Sequence, residues 1–137
     1  MKDINRFFLL IPIILILNLI WEFLHYPLYI DMSGISLTLH LILASFTDTL
    51  IILGIFLIIS TKNKNTSWIK KPKKIDYFLI TILGLITSTM IEIINLNLGR
   101  WDYTKLMPTI FGIGISPLIQ LVATAIISLV LIRILDN

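Results

Sequence analysis

Residues 7–30 read FFLLIPIILILNLIWEFLHYPLYI, an apolar run interrupted by a single acid, Glu22, and a single histidine, His25. A helix rises 1.5 Å per residue, so about 20 apolar residues cross a hydrocarbon core of about 30 Å, and this run is long enough. Lys2 and Arg6 precede it, as the basic start of a signal peptide would. The run is longer than a signal-peptide core, and no small-x-small cleavage pattern follows it, so a retained membrane helix is expected. Pro12 lies about a turn inside, where the neighbouring backbone must re-satisfy the freed carbonyl.

Three similar runs follow at about residues 37–59, 75–98 and 115–134. Over its 137 residues the chain is 14% charged with a mean hydropathy of +0.96, whereas a soluble domain carries about 25% charged residues. The four runs leave no room for a separate soluble domain. The expected fold is therefore all-α: a polytopic membrane protein whose single domain, residues 1–137, is an antiparallel bundle of four transmembrane helices. Residues 31–36, DMSGIS, make a turn short enough to set the second helix antiparallel to the first. Residues 99–114, GRWDYTKLMPTIFGIG, are expected to form an ordered cap at the outer interface. There is no cysteine, which excludes disulfides, thiolate metal sites and cysteine nucleophiles.

Positive charge sets the orientation. Residues 60–74 carry Lys62, Lys64, Lys70, Lys71, Lys73 and Lys74 with no acid, and Trp68 is expected there as an interfacial anchor. With the N-terminus cytoplasmic, that side holds Lys2, Arg6, these lysines and Arg133, and the other side only Arg100 and Lys105. The positive-inside rule then places both termini in the cytoplasm of a cell (plasma or inner) membrane. The same argument accounts for the pI of 9.3 without nucleic acid as a partner.

The polar residues of the spans lie toward the outer side. At 1.5 Å per residue, Glu22 is about 12 Å, Asp48 about 16 Å, Glu92 about 9 Å and Gln120 about 8 Å below that surface. Asn18, Glu22, His25 and Tyr29 make one helical stripe; His40, Ala44 and Asp48 make a second; Ser88, Glu92, Asn95 and Gly99 make a third. An acid at the centre of a span costs about 2.5–3.5 kcal/mol on insertion scales, so such residues are by default site candidates that turn inward and pair.

Each candidate has two readings. Glu22 and His25 form an E-x-x-H pair on one face, which fits metal ligation or a hydrogen-bonded pair that fixes packing; with His40 they are the candidate metal ligands. Glu22, Asp48 and Glu92 are candidate catalytic acids or bases, or else protonated partners that hold helices together. Arg100 is expected to pair with Glu92 or Asp102, or to attract an anionic headgroup. Asn18, Trp21, Asn95, Trp101, Tyr103 and Gln120 complete the candidate ligand-binding set, although Trp21, Trp101 and Tyr103 also suit a membrane belt and Gln120 interhelical glue. No nucleophile elbow, zinc-protease motif, P-loop or dinucleotide fingerprint is present, and no cofactor is implied.

The blocks WEFLHYPLY (21–29), Asp48, Glu92, GRWDYTKLMP (99–108) and GIGISPLIQ (112–120) resemble the pattern of a group of small bacterial four-span membrane proteins. That pattern is W-E near P-L-Y, an aspartate in the second span, G-x-W-x-Y-x-x-x-M-P, and a later G-x-S-P-x-x-Q. The matching positions are Trp21, Glu22, Asp48, Glu92, Trp101, Tyr103, Met107, Pro108, Ser116, Pro117 and Gln120. His25 stands where the group often has another polar residue such as glutamine, and His40 is farther from Asp48 than the group's histidine, so the resemblance does not extend to a metal site. It implies the architecture and no particular activity.

The function expected is an outward-facing polar pocket within the membrane that binds a small amphipathic or lipid-like ligand, in a binding protein or an accessory subunit of a membrane partner or homo-oligomer. Apolar walls with a few convergent polar groups are the usual composition of a ligand site. Two alternatives stay open: an intramembrane enzyme acting by acid or base on a lipid or isoprenoid, and a proton- or metal-coupled carrier.

Overall fold

A computed structural model describes residues 3–135; Lys2, which enters the charge argument above, lies outside them. Four helices dominate: α1 Asp3–His25, α2 Leu37–Asn63, α3 Lys74–Asn97 and α4 Ile115–Leu135. All four are long and apolar enough to cross a membrane. Between them lie short 3-10 turns at Tyr26–Leu28 and Ser67–Lys70 and four short strands: β1 Tyr29–Asp31, β2 Trp101–Tyr103, β3 Thr109–Ile110 and β4 Ile113–Gly114.

Several hydroxyls inside the helices are absorbed by the backbone. Ser45, Thr49, Ser60 and Thr124 each donate to the carbonyl four residues earlier, at 2.7–2.8 Å. Such bonding lets a polar side chain sit in apolar surroundings at little cost. α1 runs on through Pro12 but ends at His25, earlier than the run of apolar residues suggests. Pro27 is the cause: it disfavours helical backbone at the residue before it, and the chain tightens through Tyr26–Leu28 and leaves as a strand.

α1 packs against α2 and α4, and α3 packs against α4; α2 meets α3 over a shorter seam. Gly84 makes the α3–α4 contact close, since a Cβ there would lie 2.8 Å from Val122 Cγ2. Leu10, Ile14, Ile52, Phe56, Ile80, Leu129 and Ile132 form an apolar core at the lysine-loop end. Trp68 corrects an expectation, because it joins this core instead of lying at an interface. Its indole N–H donates to Ser60 Oγ at 2.8 Å, and its ring meets Phe56 edge-on at 5.5 Å. Asp76 fastens the same end by accepting from Lys73 N, Asn63 Nδ2 and Lys62 Nζ.

The opposite end is closed by backbone pairing. β1 and β2 run antiparallel, with Tyr29 opposite Tyr103, Ile30 opposite Asp102 and Asp31 opposite Trp101. Met32 N donating to Arg100 O and Thr104 N donating to Leu28 O extend this ribbon at both ends. β3 and β4 form a hairpin whose two turn residues, Phe111 and Gly112, both have positive φ (50° and 80°). A two-residue hairpin needs that geometry to match the twist of its strands. The segment 99–114 is thus a cap of two ribbons, one of them built with the α1–α2 connection.

Candidate functional site

A cavity of about 560 Å³ lies beneath the cap. α2 lines it with Leu41, Ala44 and Asp48, and α3 with Ser88, Ile91, Glu92 and Asn95. Glu22 and His25 of α1 and Gln120 of α4 form the side away from the α2–α3 seam; Tyr29, Asp31, Arg100 and Trp101 form the roof.

One network joins three helices. The Gln120 side-chain nitrogen donates to Glu22 Oε1 and to Asp48 Oδ2, both at 2.7 Å. Glu22 Oε2 lies 3.2 Å from His25 Nε2, and His25 Nδ1 lies 2.8 Å from Ser116 Oγ. With Glu22 as acceptor, a neutral His25 carries its proton on Nε2 and accepts from Ser116. Glu22 is therefore held on both oxygens. Asp48 is hydrogen-bonded to Gln120 and to Glu22, and it borders the cavity.

A second network fastens the cap. Glu92 accepts from Tyr103 Oη at 2.5 Å, and from Tyr29 Oη and Trp101 Nε1 at 3.4 Å each. Burial, then the charge of Glu92, pushes the Tyr29 phenol well above its ordinary range; burial and the hydrogen bond to Glu92 do the same for Tyr103. Both phenols stay protonated and act as donors. Glu92 thus anchors the roof.

At the rim, His40 Nδ1 lies 2.8 Å from Asp31 Oδ2 and 3.3 Å from Ser33 Oγ, and its ring is 6.0 Å from that of Trp101. Burial by itself would raise the Asp31 carboxyl. The Ser33 hydroxyl and backbone N–H, with His40, outweigh it and hold Asp31 below its ordinary value. Arg100 donates to Asn95 Oδ1 at 3.0 Å, and the expected pairing with Glu92 or Asp102 is not formed.

Glu22, His25, His40, Asp48, Glu92, Asn95, Arg100, Trp101 and Gln120 all border the cavity; Asn18, Trp21 and Tyr103 do not. Asn18 is fully buried one turn below Glu22, and neither of its amide atoms has a hydrogen-bond partner. Trp21 Nε1 and Ser88 Oγ are buried and unpartnered too, and Ser88 stands on the cavity wall. The candidate metal ligands do not form a set: His25 is spent on Glu22 and Ser116, and His40 on Asp31 and Ser33. No group of three or more metal-capable side chains converges among the described residues.

Tyr29, Ser116 and Asp31 belong to these networks, and Ser88 stands on the cavity wall, without being among the candidates above. Tyr29 continues the stripe of Glu22 and His25, and Ser116 stands four residues before Gln120 on the same face, so helical spacing held a signal for both. The partnership of Asp31 with His40 depends on how the short connection turns and had none. Comparison with protein-family models, with characterised proteins and with solved structures yields no match to this chain.

Proposed function

We propose that this chain is a four-helix membrane bundle that holds a small amphipathic, lipid-like ligand in the cavity beneath its cap. The helices present large apolar side chains away from one another, with Phe8, Leu24, Phe46 and Phe78 each more than half exposed. Surfaces of that kind suit lipid rather than water. The lysine-rich connection then faces the cytoplasm with both termini, and the cap faces outward. The sequence pattern of the small bacterial four-span group supports the same arrangement.

The observation that carries the ligand reading is the make-up of the cavity wall. Three carboxyls from three helices, Glu22, Asp48 and Glu92, converge on a space lined also by Leu41, Leu43, Ile51, Ile91 and Leu121. A few polar groups in apolar surroundings are where a ligand gains orientation. Native mass spectrometry of the protein extracted with its own lipids tests this. A bound mass of lipid size is expected, reduced in Asp48→Leu. Bare protein in every mild detergent would refute the reading.

The hydrogen-bonded chain Asp48–Gln120–Glu22–His25–Ser116 favours a second reading, in which Asp48 and Glu22 share a proton and act as acid or base on the bound lipid or isoprenoid. Deuterium from D2O would then enter the bound lipid at carbon in the wild type and not in Asp48→Asn. Unlabelled lipid from both would leave binding alone.

A further inference from the structure

The cavity also carries information about the ligand's shape and head. Resting on the ligand reading above, we propose that it takes a single-chain lipid with a hydrogen-bond-donating head, a hydroxyl or an amine. The head sits at Asp48 and Ser88, and the chain leaves sideways between α2 and α3.

Size comes first. A cavity of about 560 Å³ is the size of a small-molecule site. It takes a compact head and the first part of one chain, and the rest of the chain lies in the α2–α3 seam.

The head follows from what the polar wall offers. Glu22, Asp48 and Glu92 are all acids on that wall, and Arg100, the one arginine or lysine there, is at the rim and engaged with Asn95. An anionic head carried to the level of Asp48 would meet carboxyls in a low-dielectric setting, which disfavours it. A donor head meets carboxyl acceptors there instead, Asp48 on the α2 wall among them. On the α3 wall the Ser88 hydroxyl is buried with no hydrogen-bond partner.

The exit follows from the bolts. The roof ribbon β1–β2 is continuous backbone pairing, and Glu92 holds it from below through Tyr103, Tyr29 and Trp101. α1 and α4 close the far side with the Glu22–Gln120 bond. The α2–α3 seam is short, and on it Leu37, Leu43 and Thr47 both line the cavity and are exposed on the outside of α2. A chain passing there moves from the cavity onto an apolar helix face.

The test offers dodecanol, dodecylamine or dodecanoate to the purified full chain in detergent and counts bound molecules by native mass spectrometry. One alcohol or amine per chain is expected, with dodecanoate at least tenfold weaker. Asp48→Leu should lose at least tenfold for both donors; Asp48→Asn, which keeps a carbonyl acceptor, should retain the alcohol and weaken the amine. Cross-linking Ile30→Cys to Asp102→Cys, opposed in the roof ribbon, should leave the dodecanol on-rate within twofold of wild type. Preference for dodecanoate overturns the head assignment, and a cross-linked ribbon that slows entry tenfold overturns the side exit. No binding of any of the three probes removes the ligand reading itself and this inference with it.

Discussion

Gln120 of α4 donates its side-chain N–H to Glu22 of α1 at 2.7 Å, across 98 residues of chain. The same nitrogen spends its other hydrogen on Asp48 of α2. One amide therefore donates to two carboxyls and ties three helices at one level. A hydrogen bond to a charged group contributes about 1.5–3 kcal/mol, and removing the donor leaves both acceptors unmet. Gln120→Leu is expected to lower the melting temperature in detergent markedly. Adding Asp48→Asn restores much of the loss, because an amide at 48 can donate to Glu22 in turn. A double variant no more stable than Gln120→Leu would show that the carboxyl pair is not what Gln120 manages.

Tyr103 and Glu92 make the corresponding tie for the cap. Tyr103→Phe removes the shortest of the three bonds that Glu92 accepts. At about 1.5–3 kcal/mol for such a bond, local opening should become about tenfold to a hundredfold more frequent. Hydrogen exchange at residues 99–104 and 29–32 reads this directly. Unchanged protection there, beside a lower global stability, would mean that the cap is held by its backbone pairing alone.

Much of this arrangement could be read from residue type and spacing. The four long helices follow from apolar length, the i, i+3, i+4 stripes give Glu22, His25, Asp48 and Glu92 their faces, and counting residues along each helix puts them and Gln120 near one end. Asn18 shows where spacing stops helping. It continues the stripe of Glu22, yet it lies in the packed interior one turn below, and a stripe does not say where the cavity ends. Trp68 has the composition of a belt aromatic, but Ser60 gives its N–H a buried partner, so the ring turns inward. The β1–β2 ribbon pairs segments far apart in the chain. Neither segment is long or alternating enough to announce a strand, and Pro27, which ends α1 in time for β1 to form, reads equally well as a kink near a helix end.

Asp31 gives the rim a pH dependence whose sign is fixed. Its carboxyl is held below the ordinary aspartate value of 3.8 by Ser33 and His40, against the opposing effect of burial. A group with a depressed folded value contributes stability that is fully present above the unfolded value and lost as pH falls through the folded one. The turn at residues 31–36 should therefore loosen only below about pH 3.8, as read by hydrogen exchange or by the environment of the nearby Trp101 ring. Asp31→Asn should flatten that dependence. A transition of the same size in Asp31→Asn would assign it to another carboxyl.

Two glycines in the helices make a paired test of how tightly the bundle is packed. At Gly84 a Cβ would lie 2.8 Å from Val122 Cγ2 and 3.4 Å from the Val122 backbone nitrogen. Valine is stiff at χ1, and the backbone behind it belongs to α4, so neither atom moves cheaply. Gly84→Ala should then cost about 1–3 kcal/mol by overpacking, even though alanine is the better helix former. At Gly54 a Cβ meets nothing within 4 Å, and Gly54→Ala should add stability by up to about 1 kcal/mol from backbone entropy alone. Thermal unfolding of the two variants under one detergent condition should give shifts of opposite sign. If Gly84→Ala were also stabilising, the α3–α4 contact would be looser than the Gly84–Val122 distance implies, and the α2–α3 seam would not stand out as the place where the helices part.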